Sequence, residues 1–71
     1  MRIISQDGRI DLPYDQMIVK ITNGTLLEAC SPYYLCDTWW LVAKSTKAEA
    51  IAEMEAIRQS YLHGCKTHKI R

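Results

Sequence analysis

The stretch Met17-Ile18-Val19-Lys20-Ile21-Thr22-Asn23-Gly24-Thr25-Leu26-Leu27-Glu28-Ala29-Cys30 decides the fold class. Two aliphatic, β-prone runs flank Asn23-Gly24. A two-residue hairpin turn needs positive φ at both central positions, which Asn and Gly tolerate best. Such a loop pairs Ile21 with Leu26, Val19 with Glu28 and Met17 with Cys30 on one face, and Lys20 with Leu27 and Ile18 with Ala29 on the other. The first face is the expected core. Glu28 is its discordant member, since a carboxylate there must be paired, neutralised or at an edge.

Working outward, Arg2 to Ser5 and Arg9 to Leu12 flank Asp7-Gly8, a second type I′ signal that pairs Ser5 with Ile10 and Ile3 with Leu12. Ile3, Ile10 and Leu12 then point together, with Ile4, Asp11, Arg2 and Arg9 opposite. Pro13 ends this ladder because it has no N–H to donate. Downstream, Ser31 to Asp37 reads as a loop opened by Ser-Pro. Thr38 to Lys44 is a strand with both alternating sets largely apolar, hence central, and Trp39, Leu41 and Ala43 are assigned to the helix side because Lys44 belongs with water. Thr46 and Glu49 form a capping box that opens a helix, which ends near His63 with Gly64 as the left-handed C′ residue. Ala50, Ile51, Met54, Ile57, Tyr61 and Leu62 make the arc expected to lie on the sheet, and Ala48, Ala52 and Ala56 make a second stripe.

The pattern predicts an α+β fold, an antiparallel sheet of about five short strands (two hairpins plus one strand) with one C-terminal helix packed on one face. Residues 1–64 are read as a single α+β domain and 65–71 as a flexible basic tail. At 71 residues the chain has a thin core, so a partner subunit would add stability. Hydrophobic content of 48% with 24% charged residues suits a folded chain, and a net charge of +1 gives no global field toward nucleic acid. Cys30, Cys36 and Cys65 are odd in number and follow no secretion signal, which places the chain in the cytoplasm. The apolar runs are too short to span a membrane.

Catalytic signals are sparse, and a binder is expected rather than an enzyme. A zinc site from His63, Cys65 and His68, with Cys30 or Cys36, has the wrong spacing for tetrahedral ligation, so no metal or cofactor is expected. Nucleophilic catalysis needs a serine or cysteine beside an oriented base, and the two histidines fall at the mobile end. All three glycines are explained by turns and the helix end, leaving no phosphate loop.

The far face of the sheet is the expected interaction surface. The registers place Ile4, Ile18, Leu27, Ala29, Trp40 and Val42 there, joined by Arg2, Arg9, Lys20 and Lys44, and one helix cannot cover both faces. Two uses stay open: a homodimer or higher homo-oligomer closing sheet on sheet, and a ligand held by aromatic stacking and cations. The candidate binding residues are Arg2, Arg9, Tyr14, Lys20, Tyr33, Tyr34, Trp40 and Lys44.

Met1-Arg2-Ile3-Ile4-Ser5-Gln6-Asp7-Gly8, then Asp11-Leu12-Pro13-Tyr14-Asp15, then Ala43-Lys44-Ser45-Thr46-Lys47-Ala48 and a Met-containing helix together resemble a family of very small phage and mobile-element proteins of Gram-positive bacteria. The resemblance spans most of the chain except 25–38 and brings no assigned activity or site residues. It implies an immune-evasion protein acting by binding, either inhibiting a host defence protein in the manner of an anti-CRISPR or sequestering a nucleotide signal in the host cytoplasm. The alternative is an accessory nucleic-acid-binding or regulatory protein of a mobile element.

Overall fold

In the computed structural model, which describes residues 1–33 and 37–71, the chain is a small α+β fold of two three-stranded sheets and one helix. The strands are β1 (Arg2–Ile4), β2 (Asp11–Pro13), β3 (Ile18–Thr22), β4 (Leu26–Cys30), β5 (Thr38–Ala43) and β6 (Thr67–Lys69), with α1 (Lys47–Leu62) between β5 and β6. One sheet has the order β2-β1-β6 and the other β3-β4-β5. The single five-stranded sheet expected from the hairpins is therefore corrected to two.

The first hairpin keeps its register, with Ile3 opposite Leu12 and Ile4 opposite Asp11. Its turn is not type I′, because only Gly8 takes positive φ (75°) while its N–H bonds back to the Ser5 carbonyl at 2.9 Å. Ser5 explains why the register survives. Its buried hydroxyl donates to Asp7 Oδ1 (2.6 Å) and accepts from the Ile10 N–H (3.1 Å), so side chains rather than turn type hold the loop. The Ser5 hydroxyl, then the Arg9 N–H, draw the Asp7 carboxyl below its usual range.

The second hairpin has the turn residues expected and a different register. Asn23 (φ 56°) and Gly24 (φ 79°) are both left-handed, yet Thr25 also joins the turn and Thr22 pairs with Leu26. A slip of one residue moves every β4 side chain to the other face. Leu27 and Ala29, expected outside, are fully buried beside Val19 and Ile21. Glu28, expected in the core, lies outward between Lys20 and Trp40 and accepts a hydrogen bond from Thr22 Oγ1 at 2.9 Å.

A bulge in β5 completes the rearrangement. Leu27 faces Val42 and Glu28 faces Trp40, so Leu41 is the extra residue. Leu41 and Val42 are consequently both buried, whereas Ala43, assigned to the core from the alternation, is exposed. The unpaired Leu41 carbonyl accepts from the Gln6 N–H at 2.9 Å and so ties the two sheets together.

The helix begins at Thr46 as read, with one half of the expected capping box, the Thr46 hydroxyl accepting from the Glu49 N–H at 3.2 Å. It ends in a Schellman motif, Gly64 N–H to Tyr61 O (3.1 Å) and Cys65 N–H to Ser60 O (3.0 Å). Its buried line is Ala50 and Ile57, while Ile51, Tyr61 and Leu62, placed in the arc by periodicity, are exposed. After the cap the chain does not fray. Thr67–Lys69 runs parallel to β1, His68 sits opposite Ile3, and Ile70 is buried after donating its N–H to Ile4 O at 2.9 Å. The core is thus Ile3, Leu27, Ala29, Leu41, Val42, Ala50, Ile57 and Ile70, drawn from both sheets and the helix. No helix among the described residues is long and apolar enough to cross a membrane.

Candidate functional site

Residues three and four apart share a helix face, so the line Ala50–Ile57 divides α1 into two flanks. Met54, Arg58 and Tyr61 project on one flank, and Glu53, Ala56 and Ser60 on the other. Each flank borders an open depression of different chemistry.

The first flank faces the short 3-10 turn Tyr14–Gln16 and β3. Pro13 presets the entry to that turn, and the Tyr14 N–H bonds to Met1 O at 2.9 Å, which fixes the Tyr14 ring beside Tyr61. The ring centroids are 5.2 Å apart at 49°, a tilted pair of favourable quadrupole geometry. Met17, Val19 and Met54 line the hollow of about 450 Å³ below them, and Ile57 closes its floor. On the rim, Arg58 donates Nη2 to Glu55 Oε1 (2.6 Å) and Nε to Oε2 (3.0 Å). That fork, and then the Gln59 amide, lower the Glu55 carboxyl to about 2. Asp15 and Met17 also border a second hollow, of about 530 Å³, formed with Ile18, Pro32, Tyr33 and Trp39. The two hollows share Asp15 and Met17 at their margins and give an aromatic, Met-containing trough beside β3.

The second flank is polar, and its side chains bond to one another. Lys44 Nζ reaches Glu53 Oε1 (3.3 Å) and Arg71 O (2.8 Å), Glu53 Oε2 meets His68 Nε2 (3.3 Å), and His68 Nδ1 meets Ser60 Oγ (2.7 Å). The Lys44, Glu53 and His68 side chains are only 17%, 10% and 14% exposed. This chain of contacts ties β6 and the end of β5 to the helix.

The sequence-expected residues separate accordingly. Tyr14 lies in the trough, and Tyr33, 87% exposed, stands at its far end. Tyr34 lies outside the described residues. Lys20 and Trp40 flank Glu28 on the outer face of the second sheet. Arg2 is on the first sheet, held by Asp11 at 2.8 Å, and Arg9 is exposed in its turn. Lys44, expected in water, is turned inward by Glu53. The seven described candidates therefore do not form one site, and the far face loses Leu27, Ala29 and Val42, three of the six apolar residues assigned to it, to the core.

Tyr61, Arg58, Met54 and the Ser60–His68 contact were not singled out as site residues. Their signal was the spacing of Ala50, Glu53, Ile57 and Ser60, which sets two polar residues on the edge of the buried line. Among the described residues no three His, Cys, Asp or Glu side chains gather as a metal site. No family model, curated protein or solved structure matches the chain.

Proposed function

We propose that this chain acts by binding, as an immune-evasion protein of a phage or mobile element that inhibits a host defence protein or captures a nucleotide signal. The observation that carries the reading is the trough along β3. Tyr, Met and Arg are the side chains enriched where proteins bury contact surface, and the trough holds Tyr14, Tyr61, Met17, Met54 and Arg58 together. Its first hollow, near 450 Å³, is also of a size that takes a small ligand, with tyrosines to stack a base. Expression in hosts that each carry one defence system tests the proposal. The wild-type chain restores phage growth on at least one host and the Tyr61→Ala chain does not; no restoration on any host, or equal restoration by both chains, contradicts it.

A second reading, an accessory nucleic-acid-binding protein, is favoured by one observation. Arg2, Arg9, Lys66, Lys69 and Arg71 cluster on the β2-β1-β6 sheet and its flanking segments, against only Asp7 and Asp11. This reading predicts duplex binding that weakens steeply with salt and is lost on replacing Arg2 and Arg9.

A further inference from the structure

The polar flank of α1 contains the parts of an activated nucleophile. Ser60 Oγ lies 2.7 Å from His68 Nδ1, and the other ring nitrogen lies 3.3 Å from Glu53 Oε2. Glu53, beside the Lys44 ammonium at 3.3 Å, is a carboxylate and can only accept. The tautomer that satisfies both contacts carries its proton on Nε2, toward Glu53, and leaves the Nδ1 lone pair to take the Ser60 O–H. The ring is turned relative to the familiar serine triad, in which the serine sits on Nε2, but the order of roles is the same. The supports are rigid elements, since His68 is on a strand paired to β1 and Ser60 precedes the Schellman cap. The expectation that the histidines lack a firm mount fails for His68 for this reason.

Ser60 also opens on space. A groove of about 520 Å³ is lined by Ser60, His68, Ala56, Thr67, Lys69 and Arg71. We propose that Ser60 is a nucleophile toward small acyl esters that carry a negative charge, with His68 as its base and Glu53, held by Lys44, as the positioning residue. Ser60 Oγ bonds to the ester carbonyl carbon while its proton passes to His68 Nδ1. The ester C–O bond breaks and the leaving alkoxide takes that proton. The alcohol leaves; water then attacks the acyl-serine carbonyl carbon and gives a proton to His68 Nδ1, the bond from that carbon to Ser60 Oγ breaks, Oγ takes the proton back, and the acid leaves. The Ser60 N–H is committed to the helix ladder, and Lys69 Nζ is taken by the Ser5 O (3.4 Å) and Gln6 O (3.0 Å) carbonyls, so oxyanion stabilisation falls to Arg71 on the groove's rim. Acylation and deacylation are accordingly both slow.

This inference stands on the opposite flank from the trough and does not depend on it. The test is covalent labelling of the full chain with an alkyl fluorophosphonate, in which the P–F bond breaks and fluoride leaves, read by peptide mass spectrometry. Ser45, exposed on the same molecule, is the internal reference. Ser60 is expected to label roughly 10²–10⁴-fold faster than Ser45, the span general-base assistance supplies, and to fall to the Ser45 rate in His68→Gln. The His68 ring ¹⁵N shifts, which report the tautomer even if His68→Gln fails to fold, are expected to show the proton on Nε2 and to change in Glu53→Gln. The 4-nitrophenyl ester of succinate is expected to acylate Ser60 at least tenfold faster than 4-nitrophenyl acetate. Labelling of Ser60 no faster than Ser45, persistence of labelling in a folded His68→Gln chain, or a proton on Nδ1 overturns the assignment; equal acylation by the two esters overturns the anionic preference.

Discussion

The two flanks of α1 are built from one helix and do opposite things with their polar groups. On the β6 flank each polar atom meets another across an element boundary, Lys44 to Glu53, Glu53 to His68, His68 to Ser60, at low exposure. On the β3 flank the charged pair Glu55–Arg58 is local, three residues apart and half exposed, and the aromatic rings beside it remain open. Long-range contacts at low dielectric hold a fold, whereas an exposed local pair contributes little and leaves its surface available. The β6 flank therefore fastens the chain through its bonded polar groups, whereas the β3 flank leaves its aromatic rings unfastened.

Substitutions can break that contrast, and the largest effect is expected behind β6. Ile70→Ala removes a buried anchor of the strand and should cost about 2–5 kcal/mol in urea unfolding. For a chain this small that is a fall in Tm of more than about 8 °C, and an unchanged Tm would mean that β6 is dispensable. Next comes Glu53→Ala, which strands Lys44 and His68 at low exposure. A cost of about 2–4 kcal/mol is expected, below the fully buried case because some solvent reaches the group.

On the open flank the stability effects shrink. Tyr61→Ala loses the tilted ring pair and should cost about 0.5–1.5 kcal/mol while reducing partner binding far more. Arg58→Gln is the smallest perturbation and the cleanest reporter. The Glu55 carboxyl, lowered from 4.5 to about 2 first by the Arg58 fork and then by the Gln59 amide, should rise toward 4.5 in that variant while the Gln59 hydrogen bond still holds it below, read by carboxyl ¹³C shifts. Because the folded value is the lower one, the pair supports the fold fully above about 4.5 and its contribution fades as pH falls toward about 2.

The two hairpins show what was legible in the sequence and what was not. At Asp7-Gly8 the register was right although the turn type was not, since the Ser5 hydroxyl bridges both strands and Ile3 and Leu12 must share a face. At Asn23-Gly24 the backbone signs were right and the register was not, because admitting Thr25 to the turn buries Leu27 and Ala29 in place of Glu28. The pattern of that strand, with apolar residues at 26, 27 and 29, could serve either register, and only packing against Val42 and the helix decides. The β5 bulge leaves no local signature, for alternation cannot show which of two adjacent apolar residues is extra. The helix caps were legible because they depend on local bonds alone. β6 was not, since three polar or basic residues become a strand only through parallel pairing with residues more than sixty positions away. The site was legible only at Tyr14 and Tyr33, whose neighbours in the trough come from the helix and β5.

Native mass spectrometry of the chain purified from phage-infected host cells, wild type beside a Tyr14→Ala/Tyr61→Ala variant, tests the central claim most directly. The wild-type chain should carry a partner protein or a nucleotide mass that the folded variant has lost. The same bound mass on both chains, or a bound mass lost only when Arg2 and Arg9 are replaced, would contradict it.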